Sequence, residues 1–246
     1  MKSVVVIPAR MASTRLPGKP LEDIAGVPMI VRVCQCAMAA DIGPVWVAAA
    51  EVEIVEAVEK EGFSAVLTEA RLPSGSDRVH AAANIIDPAG EYDVIINLQG
   101  DMPTIAPIAL QTVLETLRAN PDSDVATLAA EIHDSEEAAD PNVVKAVLGA
   151  ETSGHARAHY FSRAMVPFGN GPLWHHIGVY AWRRAALETF VNAPPSGLEQ
   201  RERLEQLRAL ELGLRIDCAV VPGPAPNGVD TPADLEAARA LYKRAR

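Results

Sequence analysis

The chain has 246 residues, 49% of them hydrophobic, and a formal net charge of −10. That length and composition support a sizeable core, in one large domain or two modest ones. The charge excludes general affinity for nucleic acid or an anionic membrane, and no stretch approaches the roughly 20 apolar residues a membrane-spanning helix needs.

Short β-branched runs alternate with helical patterns through the first half. Val4–Ile7 reads as a strand, Met29–Ala40 as a helix with Pro28 near its first turn, Val45–Ala49 as a strand and Val52–Glu61 as a helix. Ser64–Leu67 is a short strand, and Ser76–Ile86 a helix capped by Ser74 or Ser76. Asp93–Leu98 is a strongly apolar strand and Pro107–Arg118 a helix. This order predicts an α/β fold: a three-layer, doubly wound, mostly parallel sheet with right-handed crossovers.

The pattern changes after about residue 122. Asp124–Ala130, Val143–Leu148, Ala156–Phe161 and Ile177–Ala181 read as strands with few helices between them, which predicts an antiparallel extension or subdomain. Helices return at Arg183–Val191 and Leu198–Leu212, Arg215–Val221 is a late strand, and Pro232–Arg244 closes the chain with Thr231 as N-cap. Without repeats or a low-complexity linker, residues 1–246 are expected to form one domain, with an antiparallel, dimer-forming region at about 124–212. Three cysteines, Cys34, Cys36 and Cys218, fit neither a disulfide framework nor a zinc site. They point to packing in a reducing compartment. The N-terminal apolar run is too short for a signal peptide and is interrupted by Pro8 and Arg10, so a cytoplasmic location is expected.

The stretch PARMASTRLPGKP, residues 8–20, leaves the first strand with Arg10, Arg15 and Lys19 beside Ser13, Thr14 and Gly18. Ligands of open α/β sheets sit at such strand ends. Arginine grips phosphate oxygens bidentately, lysine acts as a point charge, and backbone N–H groups and hydroxyls wrap the rest. A triphosphate has enough charge to use all three cations. The loop is not a Walker A motif, because Pro20 replaces the magnesium-binding hydroxyl, and it is not a GxGxxG. By itself it fits a solvated surface turn equally well.

Two acids complete the set. Asp101 follows the strand Asp93–Leu98, just past Gly100, and Asp230 stands before a helix start. Two carboxylates facing a triphosphate imply Mg²⁺. An Asp before Thr-Pro also makes a good helix cap, and for Asp230 alone that reading is the stronger one.

In order, PARMASTRLPGKPL (8–21), PSGSDR (73–78), NLQGDMP (97–103), YFSRAMVP (160–167), HHIGVYAWR (175–183), LEQRERLEQLR (198–208) and GVDTPADLEAAR (228–239) resemble the 3-deoxy-manno-octulosonate (Kdo) cytidylyltransferases, or CMP-Kdo synthetases. The resemblance covers about residues 3–240 and implies a nucleotide-diphospho-sugar transferase-like fold. It implies that Arg10, Ser13, Arg15 and Lys19 hold the CTP triphosphate, with Ser74, Gly75 and Arg78 on the nucleotide. Gln99 would lie between nucleotide and sugar, and Asp101 and Asp230 would bind Mg²⁺. His176, Tyr180, Glu205 and Gln206 would hold Kdo. It further implies a homodimer serving lipopolysaccharide biosynthesis. The reaction would be attack of the sugar's anomeric hydroxyl on the α-phosphate, with Lys19, Arg15, Asp101 and Asp230 as its catalytic groups. Two positions depart from the family: Ala50 stands where an Asp is common, and Met102 replaces a Glu. Related acceptors (8-amino-Kdo, a sialic acid) and an inactive nucleotide-binding protein are the alternatives. Read alone, Glu205 equally fits a surface ion pair with Arg201 and Arg208, and the strand histidine and tyrosine fit plain packing.

Overall fold

The computed structural model describes residues 1–13, 15–152, 154–226 and 228–244. The chain divides into two compact units, Met1–Leu110 with Pro226–Arg246, and Gln111–Ala225.

The first unit begins with β1, Ser3–Ala9, buried almost throughout because it is apolar on both faces. A tight hairpin follows, β2 (Asp23–Ile24) and β3 (Val27–Pro28), turning through Ala25 and Gly26 at positive φ. Then come α1 (Met29–Ala39), β4 (Val45–Ala49), α2 (Val52–Lys60), β5 (Ser64–Leu67), α3 (Gly75–Ile86), β6 (Val94–Asn97) and the first turn of α4 (Pro107–Ala119), whose remainder is counted in the second unit. The strand order is β5-β4-β1-β6, all parallel, with Val5 opposite Val45 and Ile96. The carboxyl ends of β1 and β6 are therefore neighbours, and these are the two strands whose following loops carry the expected cations and Asp101. The C-terminal helix, Pro232–Arg244, belongs to this unit.

The second unit holds β7 (Val125–Ile132), α5 (Ser135–Ala139), β8 (Lys145–Thr152), β9 (His155–Ser162), β10 (Leu173–Arg183), α6 (Arg184–Asn192), α7 (Gly197–Glu202), α8 (Gln206–Glu211) and β11 (Ile216–Val221). Its strands run β10-β7-β11-β9-β8, antiparallel except for β7 with β11. β8 also pairs β10 through Trp174–Ala146 and His175–Lys145, so the five strands close on themselves.

Two elements differ from the sequence expectation. The stretch read as one helix over 198–212 is two, because Arg203 adopts a left-handed conformation with φ 56°. The strand expected at 177–181 extends over eleven residues, Leu173–Arg183, with a bulge between Ile177 and Tyr180. Its ends are held by ladder bonds to β7 and β8, which composition does not announce.

Candidate active site

In the first unit a cleft of about 660 Å³ opens at the ends of β1 and β6, lined by Arg10, Ser13, Arg15, Lys19, Gln99 and Asp101 among others. The loop after β1 closes on itself. Gly18, at φ 72°, donates its N–H to Met11 O at 3.1 Å, and Lys19 N–H reaches Leu16 O at 3.1 Å. Ser13 Oγ accepts from Leu16 N at 3.3 Å. Arg10 is exposed. Thr14 lies outside the described residues.

Lys19 is the centre of the arrangement. Its Nζ lies 2.7 Å from Asp101 Oδ2 and 3.0 Å from Asp230 Oδ1, while Arg15 Nη2 meets Asp230 Oδ2 at 2.8 Å. Burial disfavours the ammonium, but the two carboxylates outweigh it and hold the Lys19 pKa above its ordinary value. Acids 129 residues apart in the chain thus converge on one cation.

Local structure explains how each acid gets there. Gly100 lets β6 exit tightly: a Cβ at that position would sit 2.7 Å from Pro8 O and 3.3 Å from Ile30 Cδ1. Asp101 O accepts Val229 N–H at 2.8 Å, which ties the segment before Asp230 to the Asp101 loop. Asp230 is not the helix cap. Thr231 caps the C-terminal helix, its Oγ1 accepting from Asp234 N at 3.3 Å. Asp234 accepts in return from the backbone N–H groups of Asp230 and Thr231 at 3.1 and 2.8 Å. The Asp230 carboxylate is left to the cleft.

The residues expected on the nucleotide all line the cleft and differ in what they bond. Ser74 caps α3, accepting from Asp77 N at 3.2 Å. Gly75 packs close enough that a Cβ would stand 3.6 Å from Pro8 Cγ and 3.8 Å from Gln99 Oε1. Gln99 Nε2 donates to Asn97 Oδ1 at 3.1 Å. Arg78 lines the cleft but is buried, and its guanidinium is committed to Thr68 Oγ1 at 2.6 Å, Glu69 O at 3.0 Å and Ala70 O at 3.2 Å. It braces the loop after β5.

The four residues expected to hold the sugar all fall in the second unit. His176 and Tyr180 share a face of β10 across the bulge, ring centroids 5.6 Å apart, with Phe161 4.7 Å from the imidazole. Thr127 Oγ1 is 2.9 Å from Val179 O, 3.2 Å from Ile177 O and 3.0 Å from His176 Nε2. The Thr127 hydroxyl has one hydrogen: given to either carbonyl it leaves Oγ1 to receive Nε2–H, and given to Nε2 it fixes the other tautomer. Burial, then the neighbouring His175, push the His176 pKa down to about 3. Burial, then the charge of Glu205, raise that of Tyr180. Glu205 precedes α8 and Gln206 is buried at its start. Arg208 pairs with Glu199 at 2.5 Å, across the break at Arg203.

The neutral imidazole has a pH consequence. An unfolded-state His176 binds its proton near 6.5 and the folded one near 3. Stability therefore falls as pH drops from 6.5 towards 3, with a slope rising to ~1.4 kcal/mol per pH unit. His176→Gln should flatten that one-proton slope between pH 7 and 5. Urea midpoints at the two pH values, equally displaced in both proteins, would contradict it.

Against this geometry, the cytidylyltransferase family matches residues 4–216. A protein of Rhodopseudomonas palustris (strain BisB5) named 3-deoxy-manno-octulosonate cytidylyltransferase is 59% identical over 237 residues, 96% of each chain. One of the same name from Bradyrhizobium sp. (strain ORS 278) is 59% identical, covering 99% of this chain and 98% of its own. The chain belongs to the 3-deoxy-manno-octulosonate cytidylyltransferase family. A solved structure of CMP:2-keto-3-deoxy-manno-octonic acid synthetase complexed with CTP superposes with a TM-score of 0.91 at 40% identity, covering all of both chains. A cytidylyltransferase from Leptospira borgpetersenii, with a TM-score of 0.65 at 17% identity, shares the fold.

Within that family's frame, the two departures are quiet ones. Ala50 is buried and gives its N–H to Ala9 O at 3.0 Å. The neighbouring Glu51, which the sequence reading passed over, accepts Met11 N–H at 2.9 Å and so anchors the start of the cationic loop. Met102 is buried at 5% exposure, facing inward where a glutamate would need a partner. Among the described residues no cluster of three or more metal-ligating side chains exists. Asp101 and Asp230 nevertheless suit magnesium: two hard carboxylates around one cation, with phosphate oxygens to complete the set, is its usual donor pattern.

Proposed function

We propose that this chain transfers CMP from CTP to the anomeric hydroxyl of Kdo, releasing pyrophosphate. The observation that carries the reading is the convergence of Asp101 and Asp230 on Lys19 at the mouth of the cationic cleft. The C2 hydroxyl oxygen forms a bond to the α-phosphorus, the bond from that phosphorus to the bridging oxygen breaks, and the hydroxyl proton passes to solvent. Phosphoryl chemistry asks mainly for alignment and charge stabilisation. Arg10, Arg15 and Lys19 hold the triphosphate and offset charge on the departing pyrophosphate. Asp101 and Asp230 would hold Mg²⁺, which when bound would supply charge neutralisation.

In the second unit, His176, Tyr180, Glu205 and Gln206 take the sugar acid. His176, held neutral by burial, offers the sugar a hydrogen bond and not a charge. The reading extends to supply of lipopolysaccharide assembly by a cytoplasmic homodimer. No described helix is long and apolar enough to cross a membrane, and exposed Met165, Phe168 and Leu212 of the second unit offer apolar surface for a second copy.

Pyrophosphate release with each nucleoside triphosphate, Mg²⁺ and one of Kdo, 8-amino-Kdo or a sialic acid tests the reaction. CTP with Kdo is expected to be fastest. CTP binding without turnover, or turnover confined to another acid, would replace the reading.

A further inference from the structure

The Asp101 loop is held at a second point. Pro103 O, two residues past Asp101, accepts the hydroxyl of Tyr242 at 2.5 Å and the Cys36 thiol at 3.2 Å. Tyr242 lies near the end of the C-terminal helix, whose start carries Asp230. Its ring sits beneath the Arg32 guanidinium, 4.5 Å from the ring centroid. Arg32 is itself fixed by Ile24 O at 2.9 Å, Ala25 O at 3.0 Å and Gln35 Oε1 at 3.0 Å. The ring also packs on a buried cluster that includes Leu16, three residues before Lys19, and Val229, next to Asp230.

One side chain therefore joins the Asp101 loop to the cluster that supports the other two charged groups. It bonds the carbonyl beyond Asp101 and packs against the cluster to which the residue before Asp230 and Leu16 of the Lys19 loop both belong. Asp101 O and Pro103 O are both gripped by the C-terminal segment, through Val229 N–H and Tyr242 O–H. Two anchors on carbonyls two residues apart fix how far the Asp101 carboxylate can move from that of Asp230. Such supporting hydrogen bonds set the affinity of a ligand pair for its ion.

We infer that the Tyr242 hydroxyl is a positioning group for the Asp101–Asp230 pair. This rests on the reading that the pair takes Mg²⁺ together with CTP. Tyr242→Phe removes the hydroxyl and keeps the ring in its cluster. Calorimetric titration with CTP, once with Mg²⁺ and once with EDTA, separates positioning from packing. The variant should bind Mg²⁺·CTP about 10-fold more weakly, bind CTP in EDTA as the wild type does, and keep its KM for Kdo while kcat falls. Cys36→Ala, which removes the weaker donor to the same carbonyl, should shift the same quantity less. Equal binding of Mg²⁺·CTP by wild type and Tyr242→Phe overturns the inference, and so does an equal loss in EDTA. A wild type that binds Mg²⁺·CTP but never turns over Kdo defeats the proposed reaction and leaves the calorimetric comparison standing.

Discussion

Asp101→Ala is expected to slow pyrophosphate release by about 10²–10³-fold, the usual loss when a charge-stabilising group leaves such a site, with little change in thermal midpoint. The two effects separate because the carboxylate is not what holds its own loop. The loop is held by backbone bonds: Val229 N–H to Asp101 O at 2.8 Å and Met102 N–H to Gln99 O at 3.3 Å. The carboxylate is 29% exposed and its partner among the described residues is Lys19. Pairs of that exposure contribute ~0–1 kcal/mol. Lys19→Ala should lose activity on a similar scale by another route, leaving Asp101 and Asp230 facing each other without the cation between them. Wild-type pyrophosphate release by purified Asp101→Ala would remove this residue from the mechanism.

What the sequence discloses here follows the range of the forces involved. Strands buried on both faces, such as β1 and β6, declare themselves by continuous apolar runs, and the Thr231–Asp234 cap by local spacing. The three cations of the first loop lie within ten residues and can be seen together. Their convergence with Asp230 is a matter of the whole fold: Lys19 and Asp230 meet across 211 residues. The motif order marked both acids, yet the bond that brings them together, from Val229 to Asp101, is between backbones and leaves no side-chain signature. Arg78 shows the opposite case. Its motif points to a nucleotide and it lines the cleft, but no local signal shows that its guanidinium also bonds Thr68, Glu69 and Ala70. Tyr242, whose partner Pro103 is 139 residues away, carries no local signal at all. The break at Arg203 lacks the glycine or proline that usually marks one; it becomes visible only through the ion pair that spans it.

That ion pair carries the largest expected effect on stability. Arg208 grips Glu199 with Nε at 2.7 Å and Nη2 at 2.5 Å, reaches Phe190 O and Ala193 O at 3.3 Å each, and lies 4.4 Å above the Phe190 ring. The two side chains are 6% and 12% exposed. Burial works against the Glu199 carboxylate, but Arg208 and the Ser196 N–H outweigh it and hold its pKa below the ordinary value. Arg208→Met strands that charge, so a loss of about 3–5 kcal/mol is expected. Adding Glu199→Gln to it should recover part of the loss, since a neutral pair of similar volume carries no desolvated charge. The acid limb tests the same point with a definite sign. A carboxylate depressed in the folded state stabilises above its unfolded pKa of about 4.5 and loses that contribution as pH falls. The wild type should therefore lose more stability than Arg208→Met on acidification below that value. Because α8 begins at Gln206, directly after Glu205, the variant should also raise KM for Kdo more than KM for CTP. Equal rises in both would mean that the α7–α8 junction does not shape the sugar site.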